Sequence, residues 1–218
     1  MLQLKSIHKN YKNQNILKNI NLTINDGDFV TIMGPSGGGK STLLYILSLL
    51  EAPTMGKIYF DNKEINFKKQ KNLENIRQDN IGLVFQNSNL IPALTPLENL
   101  LLAINSNESA KEKINRCEDL LKKVGLLDKR NSKISSLSGG EAQRISIVRA
   151  IVNNPKIIFC DEPTGALDSK NRDKIIELLV EVRKKLACSL VIVTHDKNLG
   201  ELGNRQFFLE DGVLNELN

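Results

Sequence analysis

Residues 31–47 read TIMGPSGGGKSTLLYIL. A short apolar run, FVTIM at 29–33, leads into the glycines, and the glycines give way to apolar residues at helical spacing. This is the strand–loop–helix setting in which GxxxxGK[ST] forms a phosphate-binding loop, here with Gly34, Gly39, Lys40 and Ser41 at the fixed positions. Side chains are missing because consecutive backbone N–H groups must wrap the β- and γ-phosphates of a nucleotide. Lys40 brings positive charge to them, and the Ser41 hydroxyl suits a magnesium ion. Thr42 is expected to open the helix whose N-terminal dipole faces the phosphates.

Such a loop belongs to a sheet. IGLVF (81–85), KIIFC (156–160) and SLVIVT (189–194) have the apolar, β-branched look of buried strands. Between the last two, KNRDKIIELLVEVRKKLA (170–187) places Ile175, Leu178, Leu179, Val182 and Leu186 at helical spacing. Strands alternating with helices predict an α/β fold, a P-loop NTPase core with a mainly parallel sheet. The first 25 residues instead alternate polar and apolar, as an N-terminal antiparallel β subdomain does. From 87 to 133 the chain carries helical spacing, as at Ile114, Cys117, Leu121 and Val124, and no convincing strand. The expected organisation is one domain over 1–218. Its nucleotide-binding core covers 1–86 and 134–218, and an inserted α-helical subdomain covers 87–133.

Composition narrows the function classes. With 218 residues, 40% apolar and 25% charged, the chain can bury a substantial core, and no apolar run is long enough to cross a membrane. The opening MLQLKSIHKNYKN lacks the apolar stretch of a signal peptide, so a cytoplasmic protein without direct membrane insertion is expected. Cys117, Cys160 and Cys188 show no CxxC pairing and read as small buried apolar residues. The net charge of +5 comes from lysines scattered among asparagines rather than from a basic stripe, so no nucleic-acid partner is expected.

Two further stretches carry chemistry. In KIIFCDEPTGALDS an apolar strand runs straight into Asp161 and Glu162. Asp161 is placed to orient magnesium through its water shell, and Glu162, one residue on, to polarise or deprotonate a water attacking the γ-phosphate. In SSLSGGEAQRISIVRAI (135–151) a serine and two glycines open a second helix, another N-terminus suited to an anion.

Taken together, these strings resemble the nucleotide-binding subunits of ABC transporters along essentially the whole chain and in the family's order. Beside the phosphate loop stand the signature LSGGE (137–141), VFQ ending at Gln86, ALD at 166–168 and VTHD around His195. The resemblance implies ATP and Mg2+ as ligands, with the phosphates held by Gly34, Pro35, Ser36, Gly37, Gly38, Gly39, Lys40, Ser41 and Thr42. It implies that Tyr11 stacks on adenine, that Gln86 meets magnesium or the attacking water, and that His195 hydrogen-bonds the γ-phosphate. It further implies a head-to-tail, ATP-dependent homodimer, in which Ser138, Gly139 and Gly140 of one subunit cap the nucleotide of the other and Asp168 lies at the interface. Gly38, Ala142 and Cys160 depart from the family's usual residues without removing a functional group.

MGPSGGGKSTLL, LIPALTPLENLLL, LSGGEAQR and DEPTGALDS resemble the stand-alone ATPases that serve permeases with large external domains. These are the lipoprotein-release and macrolide-export types (LolD and MacB), the cell-division type (FtsE) and the antimicrobial-peptide-resistance type. The implied partner is a separately encoded transmembrane permease, which would hold the subunit peripherally at the inner face of the membrane. It would dock near Gln86 and residues 90–101. The rivals are a cell-division regulator acting through its permease and a nucleic-acid-linked ATPase. The second rival carries long heptad coiled coils between phosphate loop and signature, which this chain lacks.

Overall fold

The computed structural model describes residues 1–12 and 14–217. The chain opens with β1 (Leu2–Tyr11) and β2 (Gln14–Ile24), antiparallel with Leu2 opposite Ile24 and Leu4 opposite Leu22. Their buried residues, Leu2, Leu4, Leu22 and Ile24 among them, alternate with half-buried or exposed ones, as expected of a sheet with one wetter face. The next strand is β3 (Phe29–Met33), buried on both faces and followed by α1 (Lys40–Leu47). The helix opens at Lys40, two residues before the expected Thr42. Gly39 caps it in the left-handed region at φ 92°, and its carbonyl already accepts from Leu43 N at 2.9 Å.

β4 (Met55–Phe60) and β5 (Lys63–Glu64) complete a four-stranded antiparallel sheet in the order β2-β1-β4-β5. After α2 (Gln70–Asn80) and β6 (Ile81–Val84) come α3 (Pro96–Ala103), α4 (Ala110–Lys123) and α5 (Gly139–Ile151). Each of these last three helices begins with the same device. Thr95 with Glu98, Ser109 with Glu112 and Ser138 with Glu141 form capping boxes, in which the hydroxyl takes the N3 amide and the N3 carboxylate returns to the cap amide.

The remainder is β7 (Ile157–Asp161), α6 (Ser169–Leu186), β8 (Ser189–Val193), α7 (Lys197–Gly200), β9 (Arg205–Glu210) and β10 (Val213–Leu217). The second sheet runs β10-β9-β3-β8-β7-β6, parallel throughout except for the β9–β10 hairpin. Its strands face two cores. Ile157 and Phe159 of β7 point toward α1 and the antiparallel sheet, whereas Ile158 and Cys160 point toward α6. A third cluster joins Leu100 of α3 and Cys117 and Leu121 of α4 to Ile145 and Val148 of α5. Between 87 and 133 the described elements are all helical, and this cluster carries them onto α5. Among the described residues, no helix is long and apolar enough to cross a membrane.

Candidate functional site

The loop between β3 and α1 is closed from behind by β9. A side chain at Gly34 would put its Cβ 2.1 Å from the Leu209 carbonyl oxygen, so only glycine lets the two backbones approach this closely. Lys40 is buried, and its ammonium donates to the carbonyls of Gly34 at 3.0 Å and Pro35 at 2.9 Å. The loop is thus wrapped around its own lysine. A cavity of about 280 Å³ lies over it, lined by Ile16, Ser36, Gly37, Gly39, Lys40, Ser41, Thr42 and Glu162.

Both acids arrive at the end of β7, one strand beyond β8. Ser41 Oγ donates to Asp161 Oδ1 at 3.2 Å, which joins the start of α1 to the end of β7. Burial pushes the Asp161 carboxyl above its usual range, opposed by the Ser41 hydrogen bond and reinforced by the charge of Glu162. Glu162 has a left-handed backbone, φ 45°, which turns the chain out of the strand. Its Oε2 lies 2.6 Å from His195 Nδ1, just beyond β8. Gln86, exposed just beyond β6, completes the group. A Cβ on Gly165 would meet Gln86 Nε2 at 2.9 Å and Glu162 Oε2 at 3.3 Å, so the two side chains converge over that glycine. Lys40, Ser41, Gln86, Asp161, Glu162 and His195 therefore gather at the C-terminal ends of four strands of one sheet, where open α/β sheets bind ligands.

The signature lies elsewhere. Ser138, Gly139 and Gly140 do not line the cavity over the phosphate loop. Ser138 and Gly139 are exposed at the start of α5. Ser138 Oγ accepts from Glu141 N at 3.3 Å, and the Glu141 carboxylate accepts from Ser138 N at 2.9 Å. Gly140 packs on Asn171, whose Oδ1 a Cβ would approach to 2.7 Å. Asn171 Nδ2 in turn donates to Asp168, the N-cap of α6, at 2.6 Å. The signature and Asp168 thus form one continuous patch of surface.

Residues 17–165 match the ABC transporter family. The chain belongs to that family. The ABC transporter ATP-binding protein MJ0796 of Methanocaldococcus jannaschii is 46% identical over 97% of this chain and 94% of its own length. A solved dimeric structure of the MJ0796 cassette bound to ADP and Pi superposes with a TM-score of 0.90 at 43% identity, over 100% of this chain and 99% of that one. The lipoprotein-releasing ATP-binding protein LolD of Aquifex aeolicus is 43% identical over 97% of this chain and 95% of its length. The macrolide export ATP-binding/permease protein MacB of Bdellovibrio bacteriovorus is 40% identical over 98% of this chain but only 33% of its own length. The fold is that of an ABC ATPase cassette, with the antiparallel sheet and the parallel core both present.

Around this ABC cassette's site the structure adds residues that sequence reading did not single out. Gln143, 2% exposed, donates to the Phe85 carbonyl at 2.9 Å. Arg149 donates to the carbonyls of Asn89 at 2.7 Å and Ser88 at 3.0 Å. The signature helix therefore grips the backbone on both sides of Gln86. Lys129 pairs with Glu141 at 2.5 Å and, with the Ser138 amide, holds that carboxyl down at about 2. Nothing in the spacing of Gln143 or Arg149 announces these contacts, because both bond backbone carbonyls distant in sequence.

Proposed function

We propose that this chain is the ATP-binding and hydrolysing subunit of an ABC transporter of the LolD/MacB type. It works as an ATP-dependent head-to-tail homodimer on a separately encoded membrane permease, from the cytoplasmic face of the membrane. The observation that carries this reading is the convergence of a phosphate loop, two carboxylates, an amide and an imidazole at one edge of the parallel sheet. Residues 1–86 and 134–218 serve as the nucleotide-binding core and 87–133 as the helical subdomain that meets the permease.

In this reading the backbone N–H groups of residues 36–42 and the Lys40 ammonium hold the β- and γ-phosphates, with Gly34 and Pro35 shaping the start of the loop. Ser41, Asp161 and Gln86 supply oxygen donors only, with Ser41 Oγ and Asp161 Oδ1 3.2 Å apart, a hard ligand set that fits Mg2+. A bound magnesium ion offsets negative charge on the transferring phosphoryl group. Glu162 takes the proton of the attacking water, and the left-handed turn at its Cα aims its carboxylate over the loop rather than into the sheet. His195 holds that carboxylate through Nδ1 and hydrogen-bonds the γ-phosphate through its other ring nitrogen, Gln86 orients the water beside it, and Tyr11 carries the adenine. Acceleration comes from positioning and fixed charge.

The head-to-tail arrangement is supported by the separation of the signature from the loop of its own chain. Ser138 and Gly139 present a hydroxyl and glycine backbone to solvent, Gly140 packs behind them on Asn171, and Asp168 adjoins them through that asparagine. They complete the site of a second copy. The experiment is light scattering of Glu162→Gln with ATP. A stable dimer that forms with ATP and not with ADP is the expected result, and a variant that stays monomeric at high concentration with ATP counts against the model.

A further inference from the structure

Three side chains meet beside the phosphate loop without belonging to it. The Tyr11 hydroxyl, at the end of β1, donates to Glu51 Oε2 at 2.5 Å. The other oxygen of Glu51 pairs with Lys9 Nζ at 2.8 Å, and that ammonium lies 5.0 Å from the centroid of the Tyr11 ring. Lys9 and Glu51 are well covered, at 12% and 27% side-chain exposure, whereas Tyr11 remains 43% exposed. The phenol oxygen also faces Thr42, in the first turn of α1. The ring thus stands next to the phosphate site, tied at its hydroxyl and covered by a cation on one face.

This arrangement does more than stabilise a strand end. An unrestrained surface tyrosine samples several rotamers, and ordering it costs binding energy at the moment a ligand stacks. Glu51 removes that cost beforehand. Burial pushes the Glu51 carboxyl up, yet the hydrogen bonds from Lys9 and Tyr11 prevail and hold it below its usual range, so it is charged when it grips both partners. The Lys9 ammonium uses one face of the ring in a cation–π contact, which leaves a single face for an aromatic ligand.

We propose that Glu51 and Lys9 are positioning residues for the nucleotide base. Glu51 fixes the Tyr11 ring through its hydroxyl, and Lys9 closes one face, so that a purine stacks on the other. The proposal rests on the reading of Tyr11 as the adenine contact. It assigns no contact between Glu51 and the nucleotide.

The test compares two probes, ATP and inorganic tripolyphosphate, each titrated calorimetrically with magnesium against the full chain. Tripolyphosphate reports the phosphate loop alone, and the ratio of the two affinities reports the base site. In Glu51→Ala the affinity for ATP should fall roughly three- to tenfold, within what one stacked base contributes, while that for tripolyphosphate stays within about twofold. Glu51→Gln, which keeps an acceptor for the phenol, should recover part of the loss. In a Tyr11→Ala background Glu51→Ala should cost nothing further, since it acts through the ring. A wild-type preference for ATP that Glu51→Ala leaves unchanged overturns the proposal alone. Equal loss of both probes also overturns it, because that marks a collapse of the fold near α1. A wild-type chain that binds both probes equally overturns the adenine reading of Tyr11, and the proposal with it.

Discussion

His195 Nδ1 lies 2.6 Å from Glu162 Oε2. The imidazole is largely exposed, at 59%, while the carboxylate it meets is mostly covered, at 18%. The pair joins the ends of two adjacent parallel strands, and it sets the carboxylate's direction. His195→Ala should therefore lower ATP turnover by on the order of 10²-fold while leaving ATP affinity nearly unchanged. Single-turnover hydrolysis beside equilibrium binding checks this. Loss of affinity in step with turnover would move His195 from chemistry to binding.

Lys40→Ala removes the ammonium that now bonds the carbonyls of Gly34 and Pro35. Hydrogen bonds from a charged donor are worth about 1.5–3 kcal/mol, so both loop order and phosphate affinity should suffer. Calorimetry should show ATP binding weakened at least tenfold, roughly, for both ATP and ADP. Retained tight ATP binding contradicts the role given to Lys40.

Ser138 caps α5, and substitution can separate that role from the one proposed for it at the partner's nucleotide. Ser138→Ala breaks the capping box and should cost about 1 kcal/mol, seen as a drop of a few degrees in melting temperature. Ser138→Asp keeps a strong cap but, in the proposed head-to-tail dimer, turns a negative charge toward the partner's nucleotide. Ser138→Arg fills the space instead. Both should abolish hydrolysis while leaving ATP affinity of the isolated subunit nearly unchanged. Loss of that affinity would mean the second glycine stretch serves its own chain.

Glu141 offers a pH test. Lys129 and the Ser138 amide hold its carboxyl at about 2, below the ordinary value of 4.5. A carboxyl depressed by folding adds stability that is fully present above the unfolded value and disappears as pH falls through the folded one. The stability difference between the wild type and Glu141→Gln should stay level above about pH 5.5 and shrink from there toward pH 2. Urea titrations at a series of pH values measure it. A difference that grows on acidification would contradict the pairing.

Among the described residues Phe159 is the largest fully buried side chain, at the centre of β7 and facing the cluster that joins both sheets. Phe159→Ala should destabilise the chain by about 3–5 kcal/mol, since a large cavity opens between two layers that cannot collapse onto it. Denaturant unfolding measures the loss. Phe159→Leu should recover most of it.

How much was legible follows from where the determining contacts lie. The loop, the parallel strands and α6 were readable because each is fixed by local spacing: FVTIM at 29–33 is β3 residue for residue, and the helix read at 170–187 begins at Ser169. α1 starts two residues before the position its side chains suggest, because the cap is set by the backbone of Gly39 rather than by a side chain. Gln143, Arg149, Glu51 and Lys9 were missed for one reason. Their partners are backbone carbonyls or single side chains far along the chain, and no periodicity marks them. The signature's serine was found from its glycines, yet its separation from the loop of its own chain is visible only in three dimensions.

β3 takes both its sheet neighbours, β8 and β9, from the last thirty or so residues described, and Leu209 of β9 is the wall against which Gly34 rests. During synthesis the glycine loop leaves the ribosome early, long before either flank exists. Until residue 209 emerges the loop lacks the wall behind Gly34, so nucleotide stabilises only chains in which β9 has already joined β3.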